Sequence, residues 1–341
     1  MSAVIRQHSL TLGFDACRIT TATPPASHPQ FQQWLANGHH GEMAWIARGA
    51  EKRGNLELIL PGVKSVITLA AAYESTNAVG GSGTGAIARY ARHHDYHEVL
   101  QEPLKRVTER VNESCGPGTR SLWYTDTGPI LERDLAQRAG LGFIGKHTNL
   151  ISPTLGNWFF LAEILTTASL TPDAPAKNRC GSCIRCLTVC PTQAILAPFQ
   201  LDARLCLSYL TIEHKGAIPE ALRPQLGNRI FGCDECLAAC PWNRFASEGR
   251  LMRTHARHDL AQPDLLHLLA MDDAAFKRTF AGTPMERAKR RGLLRNVCVA
   301  LGNTGTHDAL PQLEQHAHGG EPMIAEHAQW AMATITRNCR R

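Results

Sequence analysis

Eight of the twelve cysteines fall in or near two short runs, and this pattern constrains the chain more than any other feature. Residues 180–191 read CGSCIRCLTVCP, and residues 232–241 read GCDECLAACP. The first run fits the C-x2-C-x2-C-x3-C-P pattern of ferredoxins that bind two 4Fe-4S clusters, and the second keeps the last three cysteines and the proline of that pattern. The sequence therefore predicts a protein that holds two such clusters.

Exchange of ligands between the two runs decides which cysteines share a cluster. In two-cluster ferredoxins the fourth cysteine of a run binds the cluster of the other run. The second run has Ile230 where its first cysteine would stand, and Cys206 is the natural substitute. We assign the first cluster to Cys180, Cys183, Cys186 and Cys240, and the second cluster to Cys190, Cys206, Cys233 and Cys236.

Two other interpretations of the cysteines are weaker. Zinc also binds CxxC pairs, but a closed zinc site has little use for interlocked third and fourth cysteines. The first 18 residues contain no long apolar stretch, so we expect neither a signal peptide nor a membrane span, and a reducing, cytoplasmic compartment in which disulfides are rare. The cysteines outside the two clusters are interpreted as buried or free thiols; they are Cys17, Cys115, Cys298 and Cys339.

Length and charge indicate that the iron–sulfur module is only part of the protein. A module of this type takes about 60–80 residues, which leaves most of the 341 residues for other tasks and suggests two or three domains. The formal net charge of +6 is compatible with an anionic partner such as nucleic acid, although an excess of this size more often reflects an ordinary solvated surface.

Alternating helical and strand patterns over the first 170 residues indicate an α/β domain with a sheet covered by helices. Helices are predicted for residues 1–18, 30–48, 96–115 and 131–140, and strands for residues 65–73, 121–126 and 157–167. The apolar run of residues 65–73 has the length of a strand, with a helix as the alternative. The glycine-rich stretch of residues 77–87 lacks the GK[ST] ending of a phosphate-binding loop and is interpreted as a flexible connection.

Gly140, Gly142 and Gly145 match GxGxxG, yet their context argues against a dinucleotide site. A dinucleotide loop follows a strand and opens a helix, whereas these glycines follow a predicted helix. They are expected to form a tight turn or to let the backbone approach a flat ligand closely.

The chain after Pro241 has a helical pattern. Residues 285–303 and 322–335 both carry apolar side chains at helical spacing and resemble HEAT-type repeats. Five cations crowd the first of these segments, and they form either a solvated face or a phosphate-binding stripe. These cations are Arg287, Lys289, Arg290, Arg291 and Arg295.

Several longer blocks extend the comparison beyond the cysteines. They are HGEMAWIAR (40–48), HHDYH (93–97), YTDTGPILER (124–133), AGLGFIGKHTNLI (139–151), DARLCLSYLTIEHKGAIPE (202–220) and GNRIFGCDECLAACPWNR (227–244). With these blocks, nearly the whole chain resembles the epoxyqueuosine reductases. Those proteins are iron–sulfur and cobalamin enzymes that perform the last step of queuosine synthesis on tRNA, and they are related to reductive dehalogenases.

The resemblance implies three domains. They are an α/β N-terminal cobalamin-binding domain (residues 1–170), a ferredoxin-like two-cluster 4Fe-4S domain (171–245) and an all-α HEAT-like C-terminal domain that contacts tRNA (246–341). The usual cobalamin motif DxHxxG is absent, because the nearest string, residues 95–100, lacks its glycine. Cobalamin, held base-off, is therefore implied by the resemblance alone.

Individual site residues also follow from the resemblance. Asp126 falls on the proton donor of the family, which also contacts cobalamin, and Lys215 falls on a tRNA contact. Asp134, on a predicted helix, is interpreted instead as a solvated carboxylate. Other cobalamin contacts fall on Arg53, Ala88, Leu150, Leu161 and Ser208. Histidines in loops show no zinc-binding spacing and are interpreted as polar surface or supporting groups; they are His39, His40, His93, His94 and His97.

The implied reaction converts epoxyqueuosine at the tRNA wobble position to queuosine, with the epoxide oxygen lost as water. This takes two electrons, which the clusters would pass one at a time to cobalt from an external donor such as flavodoxin or ferredoxin. We expect a monomeric enzyme acting on the tRNAs for Tyr, His, Asp and Asn.

Two alternatives belong to other functional classes. A reductive dehalogenase-like reductase of a small molecule would not need a basic helical repeat, and such enzymes often carry a twin-arginine leader that this sequence does not show. An electron-transfer module of a larger complex would leave Asp126 without a task.

Overall fold

The computed structural model describes residues 1–73 and 83–338. The glycine-rich stretch predicted to be a flexible connection lies outside the described residues from 77 to 82, as does Cys339. Within residues 1–170 the helices are α1 (Ser2–Thr11), α2 (His28–Ala36), α3 (Ala44–Arg48), α4 (Ala50–Gly54), α5 (Tyr96–Cys115) and α6 (Glu132–Arg138). The strands are β1 (Ala16–Thr21), β2 (Ser65–Ala72), β3 (Ala86–Ile87), β4 (Ser121–Tyr124), β5 (Phe143–Ile144), β6 (Leu150–Ile151) and β7 (Phe159–Thr166).

A four-stranded sheet in the order β1-β2-β7-β4 forms the centre of this part. Strand β2 is buried along its whole length, as its unbroken apolar sequence predicts. Ile67 and Leu69 of β2 pack with α1 and α5 on one face, whereas Val66 and Ala70 face α6 on the other. The two helical layers therefore hold the sheet between them.

The predicted mixture of helices and strands is confirmed, but three details of the prediction are wrong. All three strand pairs of the sheet are antiparallel, so the arrangement is α+β rather than α/β in the strict sense, because alternation along the chain does not fix strand direction. The predicted helix over residues 1–18 ends at Thr11, and the chain then forms β1, which pairs with β2. The predicted helix over residues 30–48 is divided between α2 and α3.

The GxGxxG glycines lie between α6 and the β5–β6 hairpin, as expected for a turn rather than a dinucleotide loop. Gly140 has a φ of 81°, and a Cβ atom there would lie 2.3 Å from the carbonyl oxygen of Ala174. A Cβ atom on Gly142 would lie 2.4 Å from the carbonyl oxygen of Ile151. These glycines thus allow close packing of the chain on itself.

The rest of the described chain consists of short elements followed by a helical region. Its helices are α7 (Arg185–Thr188), α8 (Leu207–Ile212), α9 (Glu235–Ala238), α10 (Arg250–Arg253), α11 (Leu265–Leu269), α12 (Asp273–Phe280), α13 (Lys289–Thr304), α14 (Leu310–Ala317) and α15 (Pro322–Asn338), and its strands are β8 (Ile195–Ala197), β9 (Gln200–Leu201) and β10 (Arg229–Phe231). Strand β10 pairs in parallel with β3, which ties the cysteine-rich segment to the N-terminal part. Across residues 1–73 and 83–338, no helix is both long enough and apolar enough to cross a membrane.

Arg295 shows that the basic segment of α13 is not a single solvated stripe. Its side chain is 1% exposed, and its guanidinium donates to the carbonyl oxygens of Leu210, His214 and Gly216. Burial lowers the pKa of Arg295 to about 10. This cation therefore holds the α8 segment against α13 and is unavailable to a phosphate.

Replacing Arg295 with methionine is expected to destabilise the protein by about 3 kcal/mol or more, because three buried carbonyl oxygens lose their donor. Thermal unfolding of the purified variant would measure this change. Arg291→Met, on the exposed side of the same helix, is the matched control and should shift stability by no more than about 0.5 kcal/mol. Equal effects of the two substitutions would contradict the structural role given to Arg295.

Candidate active site

A cavity of about 1100 Å³ lies between the N-terminal part, the cysteine-rich segment and the start of the helical region. Its N-terminal wall includes Tyr96, Asp126 and Phe160, and the helical region contributes Arg287. Small-molecule sites usually span roughly 300–1000 Å³, so this cavity has room for a large cofactor or for more than one group.

The cavity separates the eight cysteines into two sets, all within the described part of the chain. The four assigned to the second cluster line it, and none of the four assigned to the first cluster does. Burial raises the pKa of Cys186, and the neighbouring thiols of Cys180, Cys240 and Cys183 add to that rise. Burial likewise raises the pKa of Cys236 well above its usual value, with further contributions from Cys206, Cys233, Cys190 and Cys186. The division at the cavity wall follows the two predicted sets, while the assignment of the cluster ligands stays a prediction.

The two sets of cysteines do not have the geometry of a site that binds a single metal ion. No group of three or more His, Cys, Asp or Glu side chains within residues 1–73 and 83–338 is arranged to hold one metal ion. A 4Fe-4S cluster instead takes one cysteine at each of four irons, so its ligands need not converge on one point.

Asp126 follows β4 and lies at the wall of the cavity in a left-handed backbone conformation, with a φ of 55°. This conformation is uncommon for a residue other than glycine and is often found at functional sites. The hydroxyl of Tyr96 donates to Asp126 Oδ2 at 2.7 Å. The Tyr96 ring stacks on Phe160 at 4.2 Å between centroids, so the donor is held in place.

A buried pair of carboxyl groups lies behind Asp126. The backbone N–H of Asp126 donates to Glu132 Oε1 at 2.8 Å, and Glu132 in turn approaches Glu163. Glu163 is 0% exposed, and neither of its oxygens accepts from a donor within the described chain. A charge on one of two neighbouring buried carboxyl groups disfavours a charge on the other, so this pair favours holding a proton next to the cavity.

Burial raises the pKa of Glu132 to about 7, and the charge of Asp126 adds to the rise. Burial also raises the pKa of Glu163 well above its usual value, with the charge of Glu132 as the next cause. Arg53 interacts electrostatically with Glu132 and Asp126, and Arg133 interacts with Glu132. Burial lowers the pKa of Arg53, whereas Glu132 and Asp126 oppose that shift.

The buried pair predicts how stability depends on pH. The folded protein binds more protons than the unfolded chain, so the stability from the pair is fully present below about pH 4.5 and is lost as pH rises through 7. Glu163→Gln removes one carboxyl group of the pair and so reduces this titration. The Tm of the unsubstituted protein is expected to fall by about 2 °C or more relative to the variant between pH 5 and 8. Glu109→Gln on the exposed face of α5 is the control, and parallel Tm curves for Glu163→Gln would contradict the shared proton.

Comparison with known proteins identifies the family. A family model described as "Epoxyqueuosine reductase QueG, DUF1730" matches residues 53–127, and one described as "4Fe-4S double cluster binding domain" matches residues 179–243. The epoxyqueuosine reductase of Xanthomonas campestris is 42% identical, over 97% of this chain and 95% of its own length. That of Escherichia coli K12 is 40% identical, over 96% of this chain and 88% of its own length. The chain belongs to the epoxyqueuosine reductase family.

Solved structures of this family share the fold. A crystal structure of epoxyqueuosine reductase with an epoxyqueuosine-modified tRNA-Tyr stem loop superposes with a TM-score of 0.90 at 31% identity, and the match covers 98% of this chain and 89% of that one. The epoxyqueuosine reductase of Bacillus subtilis, with a catalytic aspartate loop swung out of the active site, gives a TM-score of 0.89 at 31% identity, covering 98% and 90%.

The residues that the family resemblance assigns to cobalamin lie in three places. Asp126, Leu150 and Leu161 line a smaller cavity of about 150 Å³ that shares several wall residues with the large one. Ser208 lines the large cavity at the start of α8. Arg53 and Ala88 line neither cavity.

Arg53 and Ala88 nevertheless lie near the site. Arg53 is half-buried, and its charge interacts with Glu132 and Asp126. The backbone N–H of Ala88 donates to the carbonyl oxygen of Phe231, two residues before Cys233, so Ala88 supports the loop that carries the cysteine.

Lys215 is an exposed residue beside the basic end of α13, where its ammonium donates to the carbonyl oxygens of Ile212 and Arg287. The guanidinium of Arg287 pairs with Glu213 and lies 5.2 Å from the ring centroid of Trp45. Trp45 and Arg287 both line the large cavity, and Trp45 is 40% exposed. Lys215 therefore lies next to one rim of the cavity.

Asp134 differs from its interpretation as a solvated carboxylate, and His97 takes the second of its two predicted places, that of a supporting group at the site. Asp134 is buried, accepts from the backbone N–H of Ser27 and pairs with Arg138, so it fastens α6 to the chain before α2. His97 lines the large cavity, and its Nδ1 lies 2.6 Å from Asp95 Oδ1. Burial opposes a charge on His97, but the hydrogen bond to Asp95 and its charge raise the pKa of the ring.

Proposed function

We propose that this protein reduces epoxyqueuosine in tRNA to queuosine, using two 4Fe-4S clusters and cobalamin. One observation carries the proposal: a single large cavity has the cysteines of one predicted cluster on one wall and Asp126 on another. An electron route and a proton donor thus meet at the same space. Membership of the epoxyqueuosine reductase family supplies the substrate class.

The cysteines would hold the clusters as two interlocked sets. Cys190, Cys206, Cys233 and Cys236 would bind the cluster at the cavity wall, and Cys180, Cys183, Cys186 and Cys240 the cluster farther from it. The contact between α7 and α9 brings the two sets together, and Cys186 and Cys236 are close enough to interact electrostatically. Electrons would therefore pass one at a time from the first cluster to the second and on into the cavity.

The cavity fits cobalamin in size and in the character of its wall. Its volume of about 1100 Å³ is lined by the aromatic rings of Tyr73, Tyr96, Phe159 and Phe160 and by polar groups that include Ser208 and Asn149. Cobalamin bound here would supply a low-potential cobalt that delivers electrons to the substrate ring. The residues proposed to hold it are Arg53, Ala88, Asp126, Leu150, Leu161 and Ser208.

The reaction consumes two electrons and two protons, breaks the epoxide C–O bonds, forms a ring double bond and releases the oxygen as water. Asp126 is proposed to donate a proton to the departing oxygen. Tyr96 occupies Oδ2 of Asp126, so Oδ1 is left to face the substrate. The proton shared by Glu132 and Glu163 lies directly behind Asp126 and is available to restore its acid form.

The rim of the cavity is suited to RNA. Sequence-specific RNA recognition commonly uses unstacked bases that lie on aromatic or guanidinium planes, and Trp45 with Arg287 offers both kinds of surface. Lys215 beside them is proposed to contact the tRNA backbone. In this proposal residues 1–170 hold cobalamin, residues 171–245 hold the clusters and residues 246–341 form a HEAT-like domain that helps hold tRNA. The enzyme would act as a cytoplasmic monomer with an external electron donor.

An anaerobic assay tests the proposal. Protein reconstituted with iron and sulfide is incubated with a chemical reductant and with tRNA carrying epoxyqueuosine, with and without cobalamin. Mass spectrometry of the digested tRNA should show loss of one oxygen from the modified nucleoside only when cobalamin is present. Turnover that is equal without cobalamin, or no turnover under any condition, would overturn the proposal.

A further inference from the structure

The first cluster lies away from the cavity, and its surroundings differ from the rest of the surface. Cys180 and Cys183 are only partly buried, and the loop that carries them is exposed at Gly181 and Ser182. Because the second cluster occupies the cavity wall in the proposed arrangement, a protein donor would deliver its electrons to the first cluster.

Large apolar side chains are exposed around this cluster. Ile184, between Cys183 and Cys186, is 53% exposed, and Val189, three residues after Cys186, is 38% exposed. On the β8–β9 hairpin, Leu196 is 50% exposed and Phe199 is 48% exposed. Single exposed apolar residues need no explanation, but four within 16 residues of sequence indicate a contact surface.

Lys146 joins the cluster loop and the hairpin into one surface. Its ammonium donates to the carbonyl oxygens of Gly181 at 2.8 Å and Cys183 at 2.9 Å. Its own carbonyl oxygen accepts from the backbone N–H of Phe199 at 3.0 Å. Lys146 therefore holds the cluster loop and the hairpin side by side, together with the exposed apolar residues that each of them carries.

The charged residues of this surface are all positive. The stretch from residue 174 to residue 201 contains no Asp or Glu, whereas Lys177, Arg179 and Arg185 are all exposed. A mixed apolar and cationic surface is complementary to an acidic protein with an apolar centre. Transient redox complexes bury little area and depend on such charge steering for fast association.

We propose that this surface, the donor face, is the docking site of a small acidic protein that carries a low-potential one-electron centre. The donor face comprises Arg179, Ile184, Arg185, Val189, Leu196 and Phe199. In each encounter the donor protein is oxidised by one electron and the first cluster is reduced by one. Two encounters supply the two electrons of a turnover. The inference rests on the proposed function, because it takes the second cluster to face the reaction.

Stopped-flow reduction of the clusters tests the donor face without tRNA or cobalamin. The probe is a flavodoxin photoreduced to its hydroquinone, and cluster bleaching is followed in the reconstituted protein at several salt concentrations. Arg179→Glu with Arg185→Glu is expected to lower the second-order rate constant at low salt by about tenfold or more and to flatten its salt dependence. Reduction by methyl viologen radical, which needs no docking surface, should be unchanged.

A matched control keeps the change in net charge constant. Lys277→Glu with Arg278→Glu makes the same charge change on the exposed side of α12, outside the donor face, and should alter the flavodoxin rate less than twofold. If the donor-face and control variants behave alike, electrostatic steering is not local and the proposal is wrong.

A second variant distinguishes loss of docking from loss of the cluster. This is needed because Arg185 lies between two cluster cysteines, Cys183 and Cys186. Leu196→Ser with Phe199→Ser changes only the hairpin and is also expected to slow flavodoxin but not methyl viologen. An unchanged flavodoxin rate in this variant would overturn the proposal even if the arginine variant had lost iron. Failure of epoxide reduction with normal docking would instead count against the proposed function.

Discussion

Asp126→Asn is expected to lower kcat for epoxyqueuosine reduction by about 100-fold or more, because a positioned general acid contributes a factor of this size. The substitution keeps the shape of the side chain and leaves the Tyr96 hydroxyl a partner, so tRNA binding and iron content should be retained. Single-turnover assays with pre-reduced, cobalamin-loaded protein would measure the effect on chemistry rather than on cluster reduction.

Asp273→Asn is the matched control for this prediction, since Asp273 is exposed in the first turn of α12 and lies outside the cavity wall. It should leave kcat unchanged. Tyr96→Phe adds a graded test, because it removes the hydrogen bond to Asp126 and leaves the ring stacked on Phe160. Its loss of rate should be smaller than that of Asp126→Asn. An Asp126→Asn variant with normal turnover would remove Asp126 from the mechanism.

Cys236→Ser is expected to abolish turnover with every reductant, because Cys236 lies at the cavity wall and belongs to the second cluster in the proposed assignment. The variant should retain about half of the iron and labile sulfide, since only one of two clusters of equal size is lost. Cys180→Ser should lose a similar amount of iron. It should nevertheless retain some turnover with reduced methyl viologen, which can reach the second cluster directly.

Cys115→Ser provides the control for the cysteine series, because Cys115 ends α5 and belongs to neither set. Full iron content and full activity are expected for it. If Cys236→Ser and Cys180→Ser are equally active with methyl viologen, the order of the two clusters is not the one proposed. A protein that binds about two zinc ions and little iron after anaerobic preparation would remove the clusters altogether.

The sequence predicted elements most reliably where one strong signal extended over their full length. The apolar stripe of Leu100, Leu104, Val107 and Val111 marks α5, and Asp95 caps it by accepting from the backbone N–H of His97. Strand β2 was predicted from the length of its continuous apolar run, although periodicity alone also allowed a helix there. Strand β1 was missed, because its Ala16–Thr21 sequence is short and only pairing with β2 makes it a strand.

The candidate site was less visible, since its parts come from distant positions. The spacing of the cysteines indicated both the number of clusters and their ligand exchange. Glu163 could not be singled out, because in sequence it is one acid within an apolar strand. Its raised pKa comes from burial and from the neighbouring charge of Glu132. That single acid was nonetheless a usable signal, because a charged residue in a buried strand needs a partner or a proton.

Arg295 was considered for phosphate binding from the sequence, but the structure excludes it from that role. It belongs to a run of cations that sequence alone cannot divide into solvent-facing and buried members. The helix turns one of them inward, where three carbonyl oxygens surround it. Charge runs on helices therefore need the packing of the helix before they are interpreted as binding surfaces.

The exchange of ligands between the cysteine runs has a consequence for biogenesis. In the proposed assignment the last ligand to be synthesised is Cys236 for the second cluster and Cys240 for the first, so neither cluster can be completed until the ribosome has passed residue 236. Iron delivery would then be a late event that acts on a nearly complete chain. A nascent polypeptide truncated before Cys233 would offer the assembly machinery three thiols at one site and two at the other, and neither would mature.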